Sequence, residues 1–319
     1  MDRKTLSLPY MGTLLELQIP ASWNVAGVHR PAEMLAAPDI DAGLEAALAA
    51  PIGTPPLADL AGQRIVLAVD DVSRPTPVWR WFGALLRHLE ARGAQRRDLR
   101  VVFALGVHRP MTPDEAAAKL GAENIEGLAW ENHDCRDDAS NPLLGTTARG
   151  TPVRLNRRLA EADRILCVGA IEPHPLLGFG GGLKMLLPGL AHEETIATNH
   201  MQGVSPGAYN FVGAAESPMR LDLEEAAGML AAPVFVVNAL MNADLQVSRF
   251  VCGDPVMAHR AGARALAEVA ACRLEAPADV VITVSDPMNA DLRQGMKSIA
   301  HVEPAVRDGG VIVGLLECR

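Results

Sequence analysis

Three short segments of this sequence bring together residue types suited to proton transfer and charge recognition. Asp70-Asp71-Val72-Ser73-Arg74-Pro75 sets paired carboxylates beside an arginine, Gly106-Val107-His108-Arg109-Pro110 offers an imidazole, and Glu172-Pro173-His174-Pro175 offers a second. With an ordinary pKa of ~6.5, imidazole both gives and takes protons near neutrality. A lone histidine is usually structural, but His108, His133, His174, His192 and His200 are five of nine gathered in one stretch. His108 and His174 follow directly on apolar runs and are the candidate acid–base pair. His133 and His192 read as structural support; His29, His88, His259 and His301 read as solvated.

A second group surrounds GFGGGLKMLLPG (178–189). Its glycines Gly180, Gly181 and Gly182 would let backbone N–H groups approach an anion, with a helix N-terminus to follow. It is not a P-loop, because Leu183 separates Gly182 from Lys184 and Met185 stands where Ser or Thr would hold magnesium. A lysine followed by Met-Leu-Leu-Pro is pressed into apolar surroundings, which favour its neutral, nucleophilic form and suit covalent attachment of a cofactor. Sixteen residues on, HEETIATNH (192–200) reads as a helix with His200 at its far end. A neutral imidazole there could ligate a transition metal. In DLRQGMKS (291–298), Gln294 and Lys297 lie three apart on one helix face beside Arg293, a candidate carboxylate clamp.

The elements that must position these residues alternate in type. Apolar runs at 64–71, 99–106, 164–171, 233–240, 279–285 and 309–316 read as strands, and stretches at 75–93, 112–121, 254–272 and 289–302 as helices. Thr112, Pro113 and Glu115 form an N-cap, a first-turn proline and a capping box. Continuous apolar strands between amphipathic helices predict an α/β class with a mostly parallel sheet covered on both faces. Ligands bind beyond the carboxyl ends of such strands, which is where the three polar segments fall. The expected division is a larger N-terminal α/β domain, 1–272, and a short C-terminal α/β domain, 273–319, after the long helix ends in RLEAPAD.

Composition limits the function classes. The 319 residues are 49% hydrophobic and 21% charged, which excludes a wholly disordered chain. At a net charge of −9 the chain has no electrostatic footprint for phosphate backbones or anionic lipid, so neither nucleic acid nor membrane is an expected partner. No apolar run reaches the ~18 residues of a spanning helix, and the N-terminus meets Pro9 and Gly12 before a signal-peptide core can form. Five widely spaced cysteines without a CxxC argue against a disulfide framework and a zinc ribbon, and make the cytoplasm the expected compartment. Only Cys135, in HDC, lies near polar chemistry. With 4% aromatic residues, the core must be mainly Ala, Leu and Val.

Together, DDVSRPTP (70–77), LGVHRPMTPDE (105–115), ENHD (131–134), EPHPLLGFGGGLKMLLPG (172–189), ETIATNH (194–200) and QGMK (294–297) resemble the nickel-pincer lactate racemase family, in order over most of the chain. The resemblance implies a larger and a smaller α/β domain with the active site between them. It also implies a pyridinium 3-thioamide-5-thiocarboxylate mononucleotide that holds nickel and is attached covalently to Lys184. His200 would be the protein's nickel ligand and His108 with His174 the acid–base pair. Asp71, Ser73, Arg74, Gly180, Gly181 and Gly182 would line the cofactor, and Arg74, Gln294 and Lys297 would hold the substrate. The implied partners are a small 2-hydroxy acid and the enzymes that synthesise the cofactor, with a homo-oligomer left open.

The implied chemistry is coherent. The α-hydrogen of a 2-hydroxy carboxylate is very weakly acidic, so removing hydride while a base takes the hydroxyl proton is the better route to a planar 2-keto acid. Returning hydride to the other face inverts the centre, with one base expected on each side. Two departures stand out. Arg293 occupies the place of an aromatic residue before the family's glutamine, which points away from lactate toward a dicarboxylate such as malate or a longer sugar acid. The chain also stops at GGVIVGLLECR, short of the family's usual end. A non-catalytic homologue that binds a mononucleotide or small acid is the alternative; a metal hydrolase built on His108, His174 and Asp71 is disfavoured, because there is no HExxH.

Overall fold

The computed structural model describes residues 3–204, 210–286 and 291–318. The chain resolves into two compact units: Glu33–Val269, and a smaller one made of Met1–Ala32 with Ala270–Arg319. In chain order the strands are β1 (Arg3–Tyr10), β2 (Thr13–Pro20), β3 (Ile65–Val69), β4 (Leu99–Phe103), β5 (Ala129–Asn132), β6 (Leu143–Thr146), β7 (Pro152–Arg154), β8 (Arg164–Ala170), β9 (Pro173–His174), β10 (Gly178–Phe179), β11 (Val234–Met241), β12 (Val247–Gly253), β13 (Ala278–Val284) and β14 (Val306–Leu315). The helices are α1 (Ile40–Ala49), α2 (Phe82–Glu90), α3 (Pro113–Leu120), α4 (Ala122–Ile125), α5 (Arg157–Glu161), α6 (Glu193–Gly203), α7 (Pro218–Ala227), α8 (Met257–Ala270) and α9 (Leu292–Val302).

The larger unit is built on a sheet of order β12-β11-β8-β3-β4-β5. Every pairing in it is parallel except β11 with β12. All five residues of β3 are buried, and their alternation shows how both faces are used. Ile65, Leu67 and Val69 pack into a core with Leu44, Leu48, Leu85 and Leu89. Val66 and Ala68 point the other way, into a core with Leu186, Leu187, Met219 and Leu223. Each such Val, Ile, Leu or Met side chain contributes about 1.5–3 kcal/mol on burial, which makes the middle of the sheet a firm platform for the loops at its edge.

The smaller unit pairs β13 with β14 in parallel through α9, a βαβ unit, and joins β1 to β2 in an antiparallel hairpin. Met11 and Gly12, both at positive φ, make its two-residue turn. The sequence division had kept residues 1–32 with the larger domain; instead they group with 270–319, because β1 packs against β13. The helix expected over 75–93 begins at Phe82: Pro75 and Pro77 lie in the loop before it, and only a 3₁₀ turn over Val78–Arg80 intervenes. His88 and His259, expected in solvent, are buried, the first against Glu45 and the second against the carbonyl of Gly180.

Candidate active site

Because β8, β3 and β4 are neighbours, the segments that follow them emerge side by side at the carboxyl edge of the sheet. Asp70 and Asp71 follow directly on β3, and both are buried. Asp70 turns to α3, where Lys119 Nζ lies 2.7 Å from its Oδ1, and Thr76 Oγ1 donates to its Oδ2 at 2.6 Å. Burial raises the Asp70 carboxyl, against the pull of Lys119 and Thr76. The same ammonium donates to the carbonyls of Arg74 and Thr76 at 3.1 Å each, so one lysine fixes the course of the 70–76 loop.

Asp71 turns the other way. Its Oδ2 lies 2.6 Å from Nδ1 of His108, and its Oδ1 accepts from the Ser73 hydroxyl at 2.5 Å. Burial pushes this carboxyl up, but the hydrogen bonds from His108 and Ser73, with the charges of His108 and Arg74, outweigh it and hold it below its ordinary value. An ionised carboxylate can only accept, so Nδ1 of His108 carries a hydrogen, and in the neutral ring Nε2 holds the lone pair. The loop around His108 is fixed by further side chains. Arg109 grips Glu115 through two contacts of 2.6 and 2.8 Å, and Asn132 pairs with both the N–H and the C=O of Met111. Glu115 also completes the expected capping box with Thr112.

His174, beyond β8, is held by backbone instead. Its Nδ1 accepts from the N–H groups of Leu176 and Leu177, both at 3.3 Å. Two residues earlier stands Glu172, a residue that the sequence reading quoted in its EPHP motif without giving it a role. Its carboxylate lies 3.1 Å from Arg74 and 3.9 Å from Lys184 Nζ. Arg74, Glu172 and Lys184 thus alternate in charge, and the charge of Arg74 also acts on Asp71, which holds His108.

Lys184 is buried within a 3₁₀ turn, Gly182–Met185, and Met185, Leu186 and Leu187 are buried beside it. The glycines before it permit close packing. A Cβ on Gly180 would come within 3.0 Å of the Glu172 side chain and 3.6 Å of Lys184 Nζ. Gly181 has φ +77°, and a Cβ there would meet the Ala170 carbonyl at 2.5 Å. The anion cradle expected of this loop is not formed by Gly180 and Gly182, whose N–H groups donate to Glu172 O and to Asn238 Oδ1. Arg220 donates to the Phe179 carbonyl and His259 to that of Gly180, so the loop is braced from below. Asn238, Arg220 and His259 carried no motif. The spacing of His259 with Ala258, Gly262, Ala263 and Leu266, all on the buried face of α8, was the available signal.

His200 lies in the last turn of α6, as expected, and His192 caps the start of that helix. Nδ1 of His200 donates to the Ile196 carbonyl at 2.8 Å, which leaves the lone pair on Nε2, the form a metal binds. Burial lowers the His200 pKa, against that hydrogen bond, and the charge of Lys184 lowers it further. The neighbouring Asn199 donates to Asp222, which also accepts from Thr147 and Thr151, so the helix is pinned beside its candidate ligand. A metal held jointly by His200 and by donors on a group attached to Lys184 fits this donor set. Among the described residues, no group of three or more His, Cys, Asp or Glu could hold a metal by protein ligands alone. Cys135 is buried, its thiol pKa raised by burial.

In the smaller unit, Gln294 and Lys297 share a face of α9, and Asp291 caps that helix through the Gln294 N–H. Arg293 belongs to the helix, but its side chain lies outside the described residues.

The sequence profile described as the lactate racemase N-terminal domain matches residues 10–210, and the chain belongs to that family. It is 32% identical over 277 residues to a lactate racemase from Thermoanaerobacterium thermosaccharolyticum, covering 85% of this chain and 64% of that protein. It is 29% identical over 284 residues to one from Lactiplantibacillus plantarum, covering 86% of this chain and 66% of that protein. The chain therefore spans slightly less than two thirds of these relatives. The structure of the lactate racemase apoprotein from Thermoanaerobacterium thermosaccharolyticum superposes with a TM-score of 0.84 at 28% identity, covering 98% of this chain and 74% of that one. A Thermotoga maritima crystal structure shares the fold, with a TM-score of 0.69 at 23% identity over 80% of this chain and 67% of that one.

Proposed function

We propose that this protein is a racemase or epimerase of a 2-hydroxy carboxylic acid that works with a nickel-pincer nucleotide attached to Lys184. The observation that carries this reading is a buried Lys184 whose neighbour Glu172 also pairs with Arg74, at the sheet edge that carries the Asp71–His108 contact, beside a His200 whose ligand nitrogen bears its lone pair. When bound, the group supplies a two-electron hydride acceptor. The chain's own residues do the rest. Asp71 keeps His108 ready to take a hydroxyl proton at Nε2, His174 serves the same oxygen, and Arg74 offers a cation to the substrate or cofactor. Gly180, Gly181 and Gly182 leave room around Lys184, and His200 supplies the protein's nickel ligand. Gln294, Lys297 and Arg293 are the proposed anchors for substrate carboxylate. With a guanidinium there, a dicarboxylate such as malate or a sugar acid suits the site better than lactate. Cofactor-synthesis enzymes are the expected partners in maturation, and the cytoplasm is the proposed location; no helix among the described residues is long and apolar enough to cross a membrane.

Intact mass and metal analysis test this reading on protein made together with the cofactor-synthesis enzymes. A covalent adduct with about one nickel per chain, both lost in Lys184→Ala, is the expected result; a loaded preparation with no adduct overturns it. Racemisation assays over a panel of 2-hydroxy acids then rank substrates, and fast lactate turnover retained in Arg293→Ala would remove the dicarboxylate preference.

A further inference from the structure

Beside the loop that carries His108, a groove of about 550 Å³ runs along the first two turns of α6, lined by Val107, His192, Glu193, Glu194, Ile196 and Ala197. Both of its walls lead to the candidate site. Val107 directly precedes His108. Ile196 lies four residues before His200 on the same helix, a rise of ~6 Å, and its carbonyl accepts from His200 Nδ1, so that ring leans back along α6 toward the groove. The volume falls in the ~300–1,000 Å³ range of small-molecule pockets and is far more than a methyl group fills.

The groove is not built for an anion. Among the described residues lining it are two carboxylates and no lysine or arginine. At its rim Glu193 meets Arg136 at 3.2 Å and Glu194 meets Arg154 at 3.8 Å, but Arg154 also pairs with Asp138 at 2.6 Å, so three carboxylates face two guanidiniums. The positive end of α6 is already engaged: the Glu193 N–H donates to the Cys135 carbonyl and the Glu194 N–H to Nδ1 of His192.

We infer that this groove is the subsite for the part of the 2-hydroxy acid beyond its reacting carbon, and that it takes an uncharged, hydroxyl-bearing chain rather than a second carboxylate. This rests on the racemase reading above and chooses between the two kinds of tail that reading allowed. A chain of hydroxylated carbons lays its C–H faces on Val107, Ile196 and Ala197. Its O–H hydrogens go to the carboxylates of Glu193 and Glu194, which only accept. A second carboxylate in the same place meets like charge and finds no donor, and the methyl group of lactate leaves the groove to water.

Two measurements test it. In protein made without the cofactor-synthesis enzymes and labelled at Ala, Ile and Val methyls, gluconate should shift the signals of Val107, Ile196 and Ala197, and malate and lactate should shift them little. Ala197→Trp fills the groove and should abolish the gluconate shifts at Val107 and Ile196; Val107→Trp fills it from the other wall and serves where the first variant fails to fold. Gluconate without effect on these methyls, or malate shifting them equally, overturns the inference. In loaded enzyme, kcat/KM should rank gluconate above malate and lactate. Ala197→Trp should lower the gluconate-to-lactate ratio at least ~10-fold, the lower end of what one methylene's worth of pocket contact supplies, and an unchanged ratio overturns the subsite. Glu193→Gln with Glu194→Gln should raise the malate-to-gluconate ratio roughly two- to tenfold, the scale of exposed charge interactions. That gain should shrink at high salt, and no gain removes the charge argument. If the loaded parent turns over no 2-hydroxy acid, the racemase reading fails, while the methyl shifts still decide the groove. If it turns over lactate and leaves gluconate untouched, the racemase reading stands and the subsite is wrong.

Discussion

His108 and His174 sit on neighbouring loops at one edge of the same sheet, yet they are held by different means. The loops around His108 are fixed by side-chain charge: Asp71 on the ring, Arg109 on Glu115, and Lys119 beneath the 70–76 loop. The His174 region is fixed by main chain: two N–H groups on the ring, and four residues of glycine-rich backbone braced by Asn238, His259 and Arg220. A site held by charge is sensitive to single substitutions and to pH, whereas one held by backbone responds to changes in the scaffold beneath it.

The largest expected effect is in the charged half. Asp71→Asn removes the carboxylate that sets the His108 tautomer and, if His108 is the proposed base, should lower turnover by about 10⁴-fold, the scale for removing the carboxylate behind a catalytic imidazole, with the proposed Lys184 adduct intact by mass. An equal loss of adduct would instead mark Asp71 as part of the cofactor site. Next in size, Lys119→Met strands Asp70 inside the protein and should cost about 3–5 kcal/mol in urea unfolding. The double variant Asp70→Asn with Lys119→Met should recover much of that; no recovery would show that the ammonium acts mainly through the Arg74 and Thr76 carbonyls.

The backbone-held half makes a prediction about pH. Burial, with the charge of Arg220, lowers His259 to about 3, against its hydrogen bond to Gly180. The unfolded imidazole takes its proton near ~6.5, so between these values the unfolded chain binds more protons than the folded one. Stability should therefore fall as pH drops from 6.5 toward 3, and His259→Gln should flatten that slope in urea midpoints. Asp71 contributes in the same direction at lower pH: its depressed carboxyl stabilises the fold above the ordinary carboxylate range and loses that contribution as pH falls through its folded value. The smallest effect belongs to Arg109→Gln, whose pairing with Glu115 is exposed on the arginine side. It should leave thermal stability nearly unchanged, and a clear loss of turnover would show that this loop depends on its outer clamp.

Much of this arrangement was legible in the chain. The runs at 64–71, 99–106 and 164–171 located the strands whose ends carry the site, since a fully buried parallel strand has little freedom in its residue types. The capping box at Thr112 and the helix leading to His200 were visible for the same kind of local reason. What stayed hidden depends on contacts distant in sequence. Glu172 gains its role only through Arg74, 98 residues earlier, and Asn238 only by meeting Gly182, 56 residues back. His88 and His259 sit among polar neighbours in sequence, and only the packing of their helices shows that they face inward. The β1–β2 hairpin lacked a strong turn signal, because Met11 rather than Asn or Asp takes the left-handed position before Gly12.

The order of strands in the sheet also bears on when the protein can mature. β8 enters between β3 and β11, so Arg74 and Glu172, 98 residues apart in sequence, meet through the pairing of β3 with β8. A nascent chain that has delivered Lys184 but not Val234–Met241 has the glycine loop before Lys184 without its brace, since Asn238 belongs to that later strand. If Lys184 carries a group as proposed, its surroundings are complete only once that strand is in place, so attachment would act on a finished sheet edge rather than on a peptide.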